Sequence, residues 1–253
     1  MGLNALYALK LGVPLWTSDY LRRGLMIRTG FEIMGRLFFA LALAYTPLST
    51  TSAILQAAPL MVMLGAALVL GERIGPRRWL AMAIGFAGVL LIVKPTTEGI
   101  APSALLALLG MIGFAGRDLA TRAAPARIHA AQLGLLGFAV VAVAGLVILA
   151  FETGPPTLPT AFAALLICGT ALCGFVGYTA ITFAMRTGEI GAVAPFRYTR
   201  LIVALALAYT FFGERPDAFT LIGSVLIVGT GVFSLARERR AGAAGASALH
   251  RGP

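Results

Sequence analysis

Glu32, Arg36, Arg117, Asp118, Arg197 and Arg200 all fall inside long apolar stretches of the chain. An arginine near the centre of a bilayer costs about 2.5–3.5 kcal/mol on insertion scales, which argues against a lipid-facing place for each of the four. At about 1.5 Å of rise per residue, Arg117 and Arg197 come out in the inner half of their stretches, with Arg36 and Arg200 nearer the midplane. Cations at similar depth are suited to lining one cavity. A guanidinium is a planar fork that binds carboxylate or phosphate in a bidentate way. Arg197 and Arg200, at i and i+3, share a helix face and fit such a capture. Glu32 and Arg36, at i and i+4, are spaced to pair directly. That pair reads either as a structural bridge or as one that opens when an ionic solute takes the arginine. Arg117 and Asp118 are adjacent, point apart on a helix, and are expected to pair elsewhere.

Proline sharpens the picture. Pro59 and Pro195 each remove a backbone hydrogen bond, a defect tolerated in a membrane helix that is buried in protein or lines a cavity. Gln56 near the first break, and Tyr198 just after the second, are expected to face the same space. Tyr178 is either a further cavity residue or a hydrogen-bonded core tyrosine. Four arginines against two acids favour an anionic or zwitterionic solute. A cation or drug carrier would have to rely on Glu32 or Asp118. The sequence shows no Ser/His/Asp order, no HExxH and no phosphate-binding glycine loop, so an enzyme or an ATP-driven pump is not expected.

The elements that position these residues are apolar helices. Hydrophobic residues make up 59% of the chain and charged residues 12%, with mean hydropathy +0.90; soluble domains carry about a quarter charged residues. Stretches near 28–46, 50–71, 77–94, 101–121, 130–151, 159–185, 190–212 and 217–236 each suit a membrane crossing, which takes about 20 apolar residues. Alternating the gaps sorts the basic residues. Lys10, Arg22, Arg23, Arg28, Arg73, Arg77, Arg78, Arg122, Arg127, Arg186, Arg237, Arg239, Arg240 and Arg251 fall on one side, and Lys94 and Arg215 on the other. By the positive-inside rule both termini are expected in the cytoplasm, in a bacterial-type inner (plasma) membrane. The net charge of +10 is spread through short gaps, which excludes a nucleic-acid face. Cys168 and Cys173 lie on different faces of one helix, and His129 and His250 stand alone. Neither a disulfide, a metal site nor any cofactor is expected.

The chain also repeats itself. Gly71-Glu72-Arg73 and Gly213-Glu214-Arg215 are 142 positions apart, each closing an apolar helix. On that offset Gln56 faces Tyr198 and Arg36 faces Tyr178, although Pro59 and Pro195 are six residues out of register. An acid at a helix C-terminus opposes the helix dipole, so Glu72 and Glu214 are read as structural latches with a local partner. Gly85, Gly88, Gly223, Gly229 and Gly231 are read as helix-packing contacts. Five helices follow residue 101 and only three precede 95. A five-helix unit inserts its two copies in opposite orientation, so an inverted repeat with an incomplete first copy is expected. A start site placed too late, or a real eight-helix protein, would each account for the shortfall.

The run Leu41 to Pro59, with Leu70-Gly-Glu-Arg-Ile74 and Gly85-Phe-Ala-Gly88, is echoed by Ala194 to Arg200, Phe212-Gly-Glu-Arg215 and Gly229-Thr-Gly231. This doubled order resembles the drug/metabolite transporter superfamily, specifically its EamA-type domain. The resemblance implies an all-α polytopic membrane protein of ten helices in two inverted repeats, with the substrate path between them. It places the incomplete first repeat at 20–95 and the second at 101–236, followed by a cytoplasmic tail over 237–253 expected to be disordered. It also implies secondary-active transport of a small organic metabolite by alternating access. The expected partners are that solute, a proton or other coupling ion, the lipid bilayer and, as an open alternative, a second copy of the chain. The rival reading is a truncated membrane protein that transports nothing.

Overall fold

The computed structural model describes residues 2–72, 74–95, 100–123, 128–151, 158–187 and 197–249. Within them the chain is helical: α1 (Gly2–Lys10), α2 (Arg23–Tyr45), α3 (Leu48–Leu55), α4 (Ala58–Val69), α5 (Pro76–Val93), α6 (Pro102–Arg122), α7 (Ala130–Ala150), α8 (Ala161–Thr187), α9 (Thr199–Phe212) and α10 (Ala218–Leu249). Every stretch read from the sequence as a crossing has a helix. Leu48–Val69, Pro76–Val93, Pro102–Thr121 and Ala161–Ala180 are long and apolar enough to span a membrane, and shorter apolar helices occupy Ala131–Val147, Thr199–Phe212 and Ala218–Ser234. In α2 the charged residues Arg23, Arg28, Glu32 and Arg36 dilute the apolar character of an otherwise sufficient length. Pro195, Arg73, Arg127 and residues 250–253 lie outside the described residues.

The span Leu48–Val69 is broken at Gln56-Ala57, where the amide of Gln56 turns back to Ala53 and Ile54. Pro59 sits in the first turn of α4. It has no N–H for the carbonyl of Leu55 and its ring crowds that carbonyl, so α3 and α4 cannot be continuous. Buried small residues (Ala42, Ala53, Ala57, Ala107 and Ala115) form much of the core around this break.

The repeat has a physical form. Gly71 and Gly213 both take left-handed backbone (φ 69° and 63°). The next amide, of Glu72 and of Glu214, returns to the carbonyl of Ala66 and of Ala208. Glycine adopts this conformation without a Cβ penalty, which is why it ends each helix. The helices after these turns, α5 and α10, pack on each other in antiparallel fashion. A Cβ on Gly88 would lie 2.8 Å from the carbonyl oxygen of Gly223, and one on Gly85 would lie 2.8 Å from Oγ1 of Thr230. Equivalent helices running in opposite directions make the repeat an inverted one. Gly35 of α2 meets α6 in the same backbone-to-backbone manner, with a Cβ there 2.9 Å from the amide of Phe114. Its counterpart on α8, Gly177, faces open space.

Three sequence readings are corrected here. Gly229 is no packing contact, since a Cβ on it would touch nothing within 4 Å. The C-terminal segment continues α10 as far as Leu249; its alanines are the best helix formers, which outweighs the glycines between them. Glu214 has no local side-chain partner among the described residues. Its carboxylate accepts from the amides of Leu48 (2.8 Å) and Ser49 (2.9 Å) and from the Ser49 hydroxyl (2.7 Å). An acid that opposes its own helix dipole is thus spent on the N-terminus of α3 in the other repeat.

Burial would raise the Glu214 carboxyl, but the hydrogen bonds from Ser49 and Leu48 outweigh it and hold the group below the usual carboxylate range. A depressed acid stabilises above its unfolded pKa, about 4.3 for Glu, and loses that contribution as pH falls through the folded value. Glu214→Gln should therefore cost about 1 kcal/mol at neutral pH, as for loss of a helix cap. The gap in melting temperature from wild type should close below pH ~4. Gly113→Ala should lose about 1–3 kcal/mol, because its Cβ would lie 2.5 Å from Cα of Gly35, whereas Gly229→Ala should be neutral or stabilising by up to about 1 kcal/mol. Thermal unfolding in detergent reads both.

Candidate functional site

Residues 28, 32 and 36 recur every four positions and therefore form one stripe on α2. Glu32 is fully buried, and its carboxylate is held by Arg28 (3.0 Å) and Arg36 (3.0 Å) from its own helix and approached by Arg117 of α6 (3.6 Å). Tyr178 of α8 donates its hydroxyl to the same carboxylate at 3.3 Å and accepts from Arg28 at 3.0 Å. Arg28 also donates to Oγ1 of Thr121 at 2.9 Å. A buried carboxylate needs several donors to offset its desolvation, and here it has them from three helices. Gly137 of α7 makes the arrangement possible: a Cβ there would lie 2.5 Å from the Tyr178 hydroxyl and 3.1 Å from the Glu32 carboxylate.

Beside this cluster, Arg117 and Asp118 do pair with each other, at 2.7 Å, contrary to the expectation that neighbours on a helix point apart. The arginine stem is long enough to fold back over its own turn. Asp118 also holds Arg197 at 2.8 Å, so α6 is tied to the start of α9. Gln56, at the α3–α4 break, donates its side-chain amide to the carbonyl of Arg197 at 3.2 Å. The break in one repeat thus touches the corresponding segment of the other.

These groups enclose a cavity of about 920 Å³. Arg36, Gln56, Pro59, Arg117, Tyr178, Arg197, Tyr198 and Arg200 line it, while Glu32 and Asp118 sit behind the arginines they hold. Aromatic rings carry several of the cations. Arg36 lies over Tyr178 (5.5 Å), Arg117 over Phe114 (5.2 Å) and Arg200 over Phe39 (5.4 Å). Arg200 has no carboxylate partner among the described residues. Tyr198 is buried, and its hydroxyl abuts Gly231, where a Cβ would run into the tyrosine ring. Cys173, free like Cys168, also lines the cavity.

Sequence reasoning placed Arg28 with the cytoplasmic basic residues. It is instead 2% exposed and the inner end of the buried stripe. Its spacing of four from Glu32 was the available signal, hidden because Arg28 stands at the edge of the apolar stretch. The roles of Phe39, Phe114 and Thr121 carry no signal in the sequence.

Removal of the shared counter-charge should be the most damaging change in this region. Glu32→Gln leaves Arg28, Arg36 and Arg117 facing one another and should cost about 3–5 kcal/mol of stability. Arg36→Gln should cost clearly less, since Arg36 is 25% exposed to the cavity and Glu32 keeps Arg28. Chemical or thermal unfolding of the purified variants checks the order.

The comparisons with known proteins agree with this geometry. The model of the EamA-like transporter family matches residues 14–94 and again 101–236. A riboflavin transporter of Rhizobium johnstonii is 30% identical over 91% of this chain and 76% of its own length. An S-adenosylmethionine uptake transporter of Rickettsia conorii is 27% identical over 88% of this chain and 73% of its own. The pseudopaline exporter CntI of Pseudomonas aeruginosa is 30% identical over 82% and 74% respectively. A solved crystal structure matches the fold with TM-score 0.64 at 21% identity, over 94% of this chain and 84% of its own. With an inverted pair of helical repeats around a charged central cavity, and both halves matching one family, the chain is a multi-pass membrane protein that belongs to the EamA-like transporter family.

Proposed function

We propose that the protein is a secondary-active transporter that moves a small anionic or zwitterionic organic solute through the arginine-lined cavity by alternating access. One observation carries the preference. Arg28, Arg36, Arg117, Arg197 and Arg200 cluster with only Glu32 and Asp118 among the described residues, an excess of three positive charges at bilayer depth. Uncompensated charge is costly there, and a bound carboxylate or phosphate would relieve it. Arg200, stacked on Phe39 with no acid beside it, is the cation best placed to meet such a group. Arg36 is the next, because Glu32 keeps Arg28 when Arg36 turns to a solute.

A cation/drug antiporter draws no comparable support, since both buried carboxylates are held by arginine. A volume of about 920 Å³ suits a metabolite of cofactor size. The named relatives include an uptake transporter and an exporter, so the reading concerns the class of solute and not its direction of travel.

Purified protein should be screened by thermal shift against matched anionic, zwitterionic and cationic metabolites. A ligand at 100 times its dissociation constant adds about 2.7 kcal/mol of stability. Anions or zwitterions should stabilise the wild type, and Arg200→Gln should abolish the effect while leaving the unliganded melting temperature nearly unchanged. Stabilisation by cations alone would overturn the reading.

A further inference from the structure

The internal repeat relates Glu32 to Gly174 and Arg28 to Thr170, so the charged stripe of α2 has no copy on α8. The cavity inherits that asymmetry. Its cations form one connected group. Arg36 and Arg117 share Glu32, Arg117 and Arg197 share Asp118, and Arg200 lies on Phe39, whose ring meets that of Phe114 beside Arg117. From α7 and α8 the cavity receives Val141, Ala144, Gly145, Gly174 and Gly177, none with a polar side chain. The two parts also differ in depth. Lys94 pairs with Asp217, which puts the end of α5 and the start of α10 at one membrane face. Successive spans run in opposite directions, so α7 ends and α8 begins at that face too. Gly137 is level with Glu32 and Tyr178, since a Cβ on it would lie within 3.1 Å of both side chains. Val141 to Gly145 follow Gly137, and Gly174 precedes Tyr178, by four to eight residues, which sets this wall about 6–12 Å nearer the Lys94 face. Arg117, near the end of α6, and Arg197 and Arg200, at the start of α9, lie towards the opposite face. A Cβ on Gly145, Gly174 or Gly177 would meet nothing within 4 Å, so the wall is open to a solute.

We infer that the solute is amphipathic, with a carboxylate or phosphate end bound by the arginines and an apolar body lying along α7 and α8 towards the Lys94 face. This rests on the reading of the cavity as a site for an anionic or zwitterionic solute, and narrows its class. A compact polar anion would satisfy the guanidiniums and leave the apolar wall wetted. An apolar body removes that wall and itself from water, and gains affinity in proportion to the area covered. The arginines fix the orientation, because the reversed pose would set the acid against Val141 and Ala144, whose side chains hold no donor.

The test is a chain-length series. Acetate, butanoate and hexanoate are titrated at constant ionic strength against the purified protein, and affinities are taken from the rise in melting temperature. Each methylene that leaves water for the wall should tighten binding about fourfold, so hexanoate should bind at least about fiftyfold tighter than acetate. Gly174→Trp fills the space beside the wall, and should remove most of that gain while leaving acetate within about twofold of wild type. Gly145→Trp, on the other helix, carries the same comparison should Gly174→Trp fail to fold. If the carboxylates stabilise the protein, a flat series, or a gain that survives in the folded tryptophan variants, would overturn the amphipathic class and leave the anion site standing. Absence of stabilisation by all three carboxylates, or stabilisation that Arg200→Gln leaves intact, would discredit the arginine site itself, and the amphipathic class with it.

Discussion

A carboxylate buried at bilayer depth has to be satisfied inside the protein, and Glu32 sets the terms for everything around it. Full burial removes it from water, so it draws Arg28 and Arg36 from its own helix, the hydroxyl of Tyr178 from α8 and the charge of Arg117 from α6. Those arginines are then desolvated in turn. Two of them come to rest over aromatic rings, and Arg117 recruits Asp118, which recruits Arg197. The chain of compensation runs from the first repeat into the second and, among the described residues, ends with more positive than negative groups at the cavity.

Backbone chemistry supports the same centre. Pro59 breaks a span where the side-chain amide of Gln56 donates to the carbonyl of Arg197, so the break in one repeat is tied to the backbone of the other. Gly35 and Gly113 permit an approach that no side chain would allow, and Gly137 of α7 leaves room for Tyr178, so α2, α6 and α8 come close enough to share one carboxylate. At the periphery, Gly71 and Gly213 turn the chain, and Glu214 uses that turn to grip the opposite repeat. Small residues at the contacts and charged ones at the centre divide the work between packing and chemistry.

The all-α architecture, the helix positions, the inverted repeat and the presence of arginines in the interior were legible in the sequence. Each follows from local or periodic properties: apolar length, the 142-residue offset, and the cost of exposing a guanidinium to lipid. Pairing at i and i+4 on one helix, as for Glu32 and Arg36, is local in the same sense. The tertiary structure alone decided which distant groups met. It drew Arg28 inward, brought Asp118 to Arg197, put Arg200 over Phe39 and gave Glu214 the α3 N-terminus as its partner. These contacts join residues up to 166 positions apart. Where charge must be neutralised, the sequence announces that a partner exists, and only the packed helices determine which one comes within reach.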